Sequence, residues 1–208
     1  MMEIIQNYLY LLSNALLLPT LLVMLGLTAW TALLLGGLLR EMFTRGQIRR
    51  LLREACELAR GQGHDAGETP RTRAMNCLRG GAMGIPARFV QRLGLAHDDP
   101  LECHKALEDV ESDVATSLAK LTWLTRVAPM LGLMGTLIPL GPALTGLAAG
   151  DVAMLSGNLV VAFTATVIGV LIGCLSFSLG LIRRSWYQRD MSDLEYMVAR
   201  FHPPLPHS

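Results

Sequence analysis

Thr136 and Thr166 are the side chains best placed by type to handle an ion, because each sets a hydroxyl within a long stretch that carries no charge. Around Thr136 the chain reads RVAPMLGLMGTLIPLGP from 126 to 142. Its prolines, Pro129, Pro139 and Pro142, each lack a backbone donor and free a carbonyl one turn back. In a bilayer such a carbonyl needs protein or water as its partner. Around Thr166 the chain reads VAFTATVIGVLIGCLSFSLG, where Thr166, Gly169, Gly173, Ser176 and Gly180 recur at intervals of three or four and Gly169 with Gly173 makes a GxxxG pair. Gly132, Gly135 and Thr136 form a comparable small face. Close helix packing is the plain reading of both faces. A hydroxyl bonded back to its own helix is the plain reading of both threonines. The functional reading adds a partly polar lumen, and the freed carbonyls at Pro139 and Pro142 suggest a bent or unwound segment facing it.

An absence sharpens this reading. No Asp, Glu, Lys, Arg or His occurs from Ile4 to Leu39, from Val127 to Gly150 or from Val152 to Ile182. Proton relays in membranes use an intramembrane ionisable group. A chain of this kind can therefore conduct protons only if a second polypeptide supplies the carboxylate. Nothing here makes an enzyme: the hydroxyls and Cys174 have no His or acid near them in sequence, and no catalytic set is expected. His97, Cys103 and His104 lack the spacing of a metal site, so neither metal nor cofactor is expected. Cys56, Cys77, Cys103 and Cys174 show no CxxC spacing and read as reduced thiols.

The elements that must hold these residues follow from hydropathy. The chain has 208 residues, 51% of them hydrophobic and only 17% charged, with a mean hydropathy of +0.39. Each charge-free stretch exceeds the roughly 20 residues that a helix needs to cross a bilayer. The expected fold is all-α: an integral membrane protein with three transmembrane helices extended by long cytoplasmic helices. The expected layout is an interfacial segment at 1–14, which lies on the membrane surface or continues the first helix, and spans at 15–39, 121–149 and 158–182. A cytoplasmic helical segment fills 40–120, an outer loop 150–157, and a cytoplasmic helix and tail 183–208. The first span lacks the basic n-region of a signal peptide and is too long for its apolar core, so it reads as retained.

Orientation follows from the 18 Lys and Arg residues. Fourteen lie between Arg40 and Arg126, and Arg183, Arg184, Arg189 and Arg200 follow the last span. The positive-inside rule puts the N-terminus outside and the C-terminus in the cytoplasm. Trp123, Arg126, Arg183, Arg184 and Trp186 read as interface anchors. No feature suggests nucleic acid as a partner.

In the cytoplasmic part, 41–60 reads as an amphipathic helix through Ile48, Leu51, Leu52, Ala55 and Leu58, stopped by the GQG at 61–63. Thr69-Pro70 resembles a helix start, and PARFVQRL at 86–93 suits a short helix ended by Gly94. Asp99, Pro100 and Glu102 give a capping-box start. From there Leu101, Leu107, Val110, Val114, Leu118 and Leu121 recur without a breaker before Pro129, which predicts one long helix running into the second span. Its acidic start, from Asp98 to Asp113, reads as a solvated face; the other reading is a set of charges that draws cations to a pore mouth.

These residues carry a family resemblance. RVAPMLGLMGTL resembles the second-span motif of the MotA/TolQ/ExbB proton channel family, roughly APLLGLLGT, through Ala128, Pro129, Leu131, Gly132, Leu133, Gly135 and Thr136. AFTATVIGVLIG resembles the third-span motif through Ala162, Thr166 and Gly169. The three-span layout resembles the ExbB/TolQ branch, while Pro139, the GPALTGL that follows and the end of the third span depart from the family pattern and mark a divergent member. The resemblance implies a pentameric ring of this chain in the inner (cytoplasmic) membrane around a dimeric, single-span ExbD-, TolR- or MotB-like partner. That partner carries the membrane aspartate, and proton flow drives rotation that does work on the envelope. It also implies that Thr136 and Thr166 face the lumen near that aspartate, with Pro129 at the cytoplasmic end of the path; threonine oxygens suit sodium as well as protons. A non-conducting oligomeric membrane scaffold is the competing reading.

Overall fold

The computed structural model describes residues 2–59, 76–79, 84–93 and 100–201. Among these residues the chain is helical, with no strand: α1 spans Met2–Ala59, α2 Gly84–Leu93, α3 Pro100–Ala148 and α4 Val152–Phe201. A further helical segment occupies 76–79. Three of the helices are long and apolar enough to cross a membrane. At 1.5 Å per residue α4, with 50 residues, is about 75 Å long, more than twice the hydrocarbon thickness. The first span and the amphipathic segment, as far as Ala59, are one helix, because no breaker separates Leu39 from Glu41. The expected helix from Pro100 into the second span is likewise unbroken. The stop expected at 61–63, the starts at Thr69-Pro70 and Asp99 and the end at Gly94 lie outside the described residues.

Two expectations are corrected. Pro139 and Pro142 do not unwind the chain: α3 runs through Pro129, Pro139 and Pro142 to Ala148. Each proline removes one donor, and the remaining ladder holds the helix, as in other apolar spans. The connection to α4 is also tighter than a loop over 150–157. Gly150 adopts φ 76°, Asp151 N–H donates to the Gly146 carbonyl at 2.9 Å, and Gly150 N–H to the Leu147 carbonyl at 3.1 Å. This is a Schellman ending, which a left-handed glycine makes possible. Asp151 then caps the next helix, its Oδ1 accepting from Met154 N–H at 2.9 Å. One residue pair thus closes α3 and opens α4.

The chain divides into two compact units, and α1, α3 and α4 each contribute to both. The first holds 1–36 and 120–180. Its interior is thin: Leu27 of α1, Leu124 and Ala128 of α3 and Ile172 of α4 are buried together, with Leu34, Leu131 and Ile168 against them. Large apolar side chains such as Leu33, Leu137, Phe163 and Val167 stay exposed, as suits lipid or neighbouring chains.

The second unit holds 37–119 and 181–208 and has a core like that of a soluble protein. Ile48, Leu52 and Ala55 of α1 meet Ile85, Phe89 and Leu93 of α2, Ala106, Val110 and Val114 of α3, and Leu194 and Met197 of α4. The expected stripe on α3 is buried at Val110 and Val114, half-buried at Leu107 and Leu118, and exposed at Leu101. A buried ion pair fastens the same unit. Arg45 donates to both carboxylate oxygens of Asp190 at 2.7 and 2.8 Å, donates to the Trp186 carbonyl at 2.9 Å, and lies 5.0 Å from the Trp186 ring centroid. Burial pushes the Asp190 carboxyl above its ordinary range, while the Arg45 donors pull it back. Removing one member of such a pair strands the other charge. Asp190→Ala is expected to cost about 3–5 kcal/mol, read as a lowered unfolding midpoint in detergent; the exposed Arg184→Ala should stay within about 0.5 kcal/mol of the parent.

Candidate ion-handling site

The site rests on the antiparallel contact between α3 and α4, which is close because side chains are missing from it. A methyl group placed on Gly169 would lie 2.8 Å from the Ala128 carbonyl oxygen and 2.8 Å from Gly132 Cα. One on Gly132 would lie 3.2 Å from the Ala165 carbonyl oxygen. Gly135 faces the Ala165 methyl, and Gly173 faces the Pro129 ring, whose Cγ would be 2.8 Å from an added methyl. Gly132, Gly135, Gly169 and Gly173 therefore form one seam within a single chain. Pro129 belongs to it too, as the ring that fills the space above Gly173. The Thr125 carbonyl, which loses its helical donor at Pro129, is the next atom over Gly173, at 3.4 Å from the added methyl. Ser176, one turn on, is completely buried.

The seam sets the height of the threonines. Gly135 meets Ala165 and Gly132 meets the Thr166 backbone, so Thr136 and Thr166 stand at one level of the bundle. Both are half-buried. Thr136 donates to the Leu133 carbonyl at 2.7 Å and Thr166 to the Ala162 carbonyl at 3.2 Å. Each hydroxyl has thus spent its single proton on its own helix and keeps acceptor lone pairs. Pro129 lies seven residues from Thr136, about 10 Å toward the charged end of α3.

The anchors divide. Trp123 and Arg184 are exposed. Arg183 and Trp186 turn inward instead: Arg183 Nε lies 3.4 Å from a Glu41 carboxylate oxygen, and Trp186 lies under Arg45. The level of Arg126 is set by the α3–α4 register. Leu121 lies beside Gly180 and Thr125 beside Gly173, so Arg126 is level with α4 residues near 175. The charge-free stretch of α4 runs on to Ile182, roughly 10 Å further. At this depth α1 is also free of charge, since Leu27 packs with Leu124 and Ala128 while its own apolar run continues to Leu39. The cause is register: along the bundle the charges at the start of the α3 span are level with apolar residues of α1 and α4. Arg126 is exposed there.

Sequence reasoning missed two features, the level of Arg126 against α4 and the Arg45–Asp190 pair. The first needs the seam register, and the second joins residues 145 positions apart. Among the described residues no group of His, Cys, Asp and Glu is arranged to hold a metal.

Three apolar helices of this length define an all-α, multi-pass membrane protein. Residues 95–195, which take in α3 and most of α4, match the model of the MotA/TolQ/ExbB proton channel family. This match supports membership of that family, whose members are proton-driven, motor-related membrane proteins rather than enzymes. No curated protein and no solved structure matches it.

The seam leaves no slack at Gly169, where the obstacles are backbone atoms. Gly169→Val is expected to destabilise the chain by about 1–3 kcal/mol or more through overpacking. Gly36→Ala, whose added methyl meets nothing within 4 Å, should be neutral in the same detergent unfolding assay.

Proposed function

We propose that this chain is the ring-forming subunit of a proton-driven motor in the inner membrane, with five copies around the single-span helices of a dimeric ExbD/TolR/MotB-like partner. Its N-terminus lies outside and its C-terminus in the cytoplasm. The partner supplies the membrane carboxylate, and the ring turns proton motive force into mechanical work on the envelope. One proton crossing 100 mV releases about 2.3 kcal/mol, several times thermal energy.

The observation that carries this reading is the pairing of Thr136 with Thr166 at one level of a seam that has no acid of its own. Their hydroxyl oxygens act there as acceptors. An acceptor pair of this kind suits a protonated carboxyl, a water or a bare cation that arrives from another chain. Arg126 adds support: an exposed guanidinium beside two apolar helices is stable where it meets water or an acid.

Thr136→Val and Thr166→Val keep side-chain shape and remove the acceptors. Both are expected to assemble with the partner in the parent's stoichiometry and to lose at least about tenfold in proton-driven activity, equivalent to about 1.4 kcal/mol. Full activity in both variants would exclude the lumen role, and failed assembly would favour a scaffold. Arg126→Cys, in a background lacking the four native cysteines, is expected to react with a membrane-impermeant maleimide in the intact assembly. Leu33→Cys, on the exposed apolar face of α1, should stay unreacted.

A further inference from the structure

A cavity of about 310 Å³ opens in the second unit, among α1, α2, α3 and α4. Arg40, Arg88 and Arg183 line it, together with Glu41, Ser117 and Tyr187. The charge is unbalanced. Glu41 lies against Arg183 at 3.4 Å, and among the described residues neither Arg40 nor Arg88 has an acidic partner. Arg183 is largely buried, and its Nε makes no hydrogen bond in spite of the nearby carboxylate. Gly37 keeps the wall low: a methyl added there would touch the Arg183 guanidinium at 3.6 Å. The Tyr187 phenol is held in its neutral, donating form, since burial and then the Glu41 charge push its pKa up. The lining is thus rich in donors, with a net excess of two guanidinium groups over carboxylates.

The place of these residues in the chain names the ligand class. Arg40 is the first charge after the apolar run that ends at Leu39, and Arg183 the first after the run that ends at Ile182. Two helices therefore deliver guanidinium groups into one cavity at the position where each leaves hydrocarbon. Arginine forks match phosphate oxygens in geometry and charge. Basic pockets among helices at this level of a membrane recognise anionic headgroups. We infer that this cavity binds a phosphate-bearing anion, and that its source is the headgroup of an anionic membrane lipid. The inference rests on the membrane placement of the chain and is independent of proton conduction.

The test uses the full chain purified in a neutral detergent. Thermal unfolding and native mass spectrometry are followed as phosphatidylglycerol, phosphatidylcholine or inorganic phosphate is added. Phosphatidylglycerol is expected to raise the unfolding midpoint and to survive as a bound adduct, with an affinity at least about tenfold above that of phosphatidylcholine and a response that weakens with salt. Arg40→Gln with Arg88→Gln should remove most of that preference, whereas Arg49→Gln with Arg50→Gln, an equal charge loss on exposed positions of α1, should keep it. Equal binding of the two lipids by the parent chain would overturn the site, whatever the variants do. Retention of the preference in the Arg40/Arg88 variant would also overturn it. Saturation of the same response by millimolar inorganic phosphate without lipid would overturn the lipid source. Intact proton-driven activity alongside lost lipid preference would leave the motor reading standing.

Discussion

Backbone contact between Gly132 and Gly169 is the constraint on which the membrane part of this protein depends. Lipid gives apolar helices no reason to associate, so the energy must come from close packing over an extended face. Here that face exists only because glycine stands at 132, 135, 169 and 173. Proline fits the same logic. Pro129 loses a donor, but its ring seats above Gly173, so the residue that weakens the α3 ladder strengthens the α3–α4 contact. The composition that looked adverse for a helix is thus explained by packing first. The proposed ion-handling role would be a second layer laid on a seam that packing has already fixed.

The sequence carried the architecture well, because uncharged length and breaker-free periodicity are local signals. The run from Pro100 through the second span and the short helix before Gly94 could be read directly. The sequence also showed a small face on each of α3 and α4, but that the two meet in one seam is seen only in the structure. The turn between α3 and α4 was less legible. GLAAGDVAMLSGN looks like a loop by composition, yet Gly150 and Asp151 complete the reversal and helix resumes at Val152. The prolines misled in the other direction, since rules from soluble helices overstate their cost where neighbouring helices supply the packing. What no local pattern held was the register between helices. Arg126 reads as an interface residue along α3, and only the pairing of Leu121 with Gly180 shows it level with charge-free α4.

The formal net charge of +1 hides a strong segregation. In the second unit charges are sunk as well as solvated. Arg45 and Asp190 sit at 8% and 3% side-chain exposure and survive burial because the pairing is bidentate and a main-chain carbonyl takes a further donor. Glu41 and Arg183 form a looser pair at the edge of the cavity. The excess of guanidinium groups left there is not a surface average. It follows from three helices each contributing an arginine to one cavity, which is why it escapes any reading of one helix at a time.

On the proposed function, the two kinds of polar group on α3 divide the work of moving a borrowed proton. At Thr136 and Thr166 the hydroxyl hydrogens are committed to Leu133 and Ala162, so the oxygens can accept but have nothing to donate. A carboxyl at that level is stabilised when protonated, because its own O–H can then donate. At Arg126, ten residues and about 15 Å along the helix, the field is reversed and the ionised carboxylate is favoured. A partner acid shared between these levels meets an environment that holds its proton at one and releases it at the other. The difference arises without an acid in the charge-free spans of this chain, from a donor count at the seam and from a register that sets one arginine level with apolar residues of its neighbours.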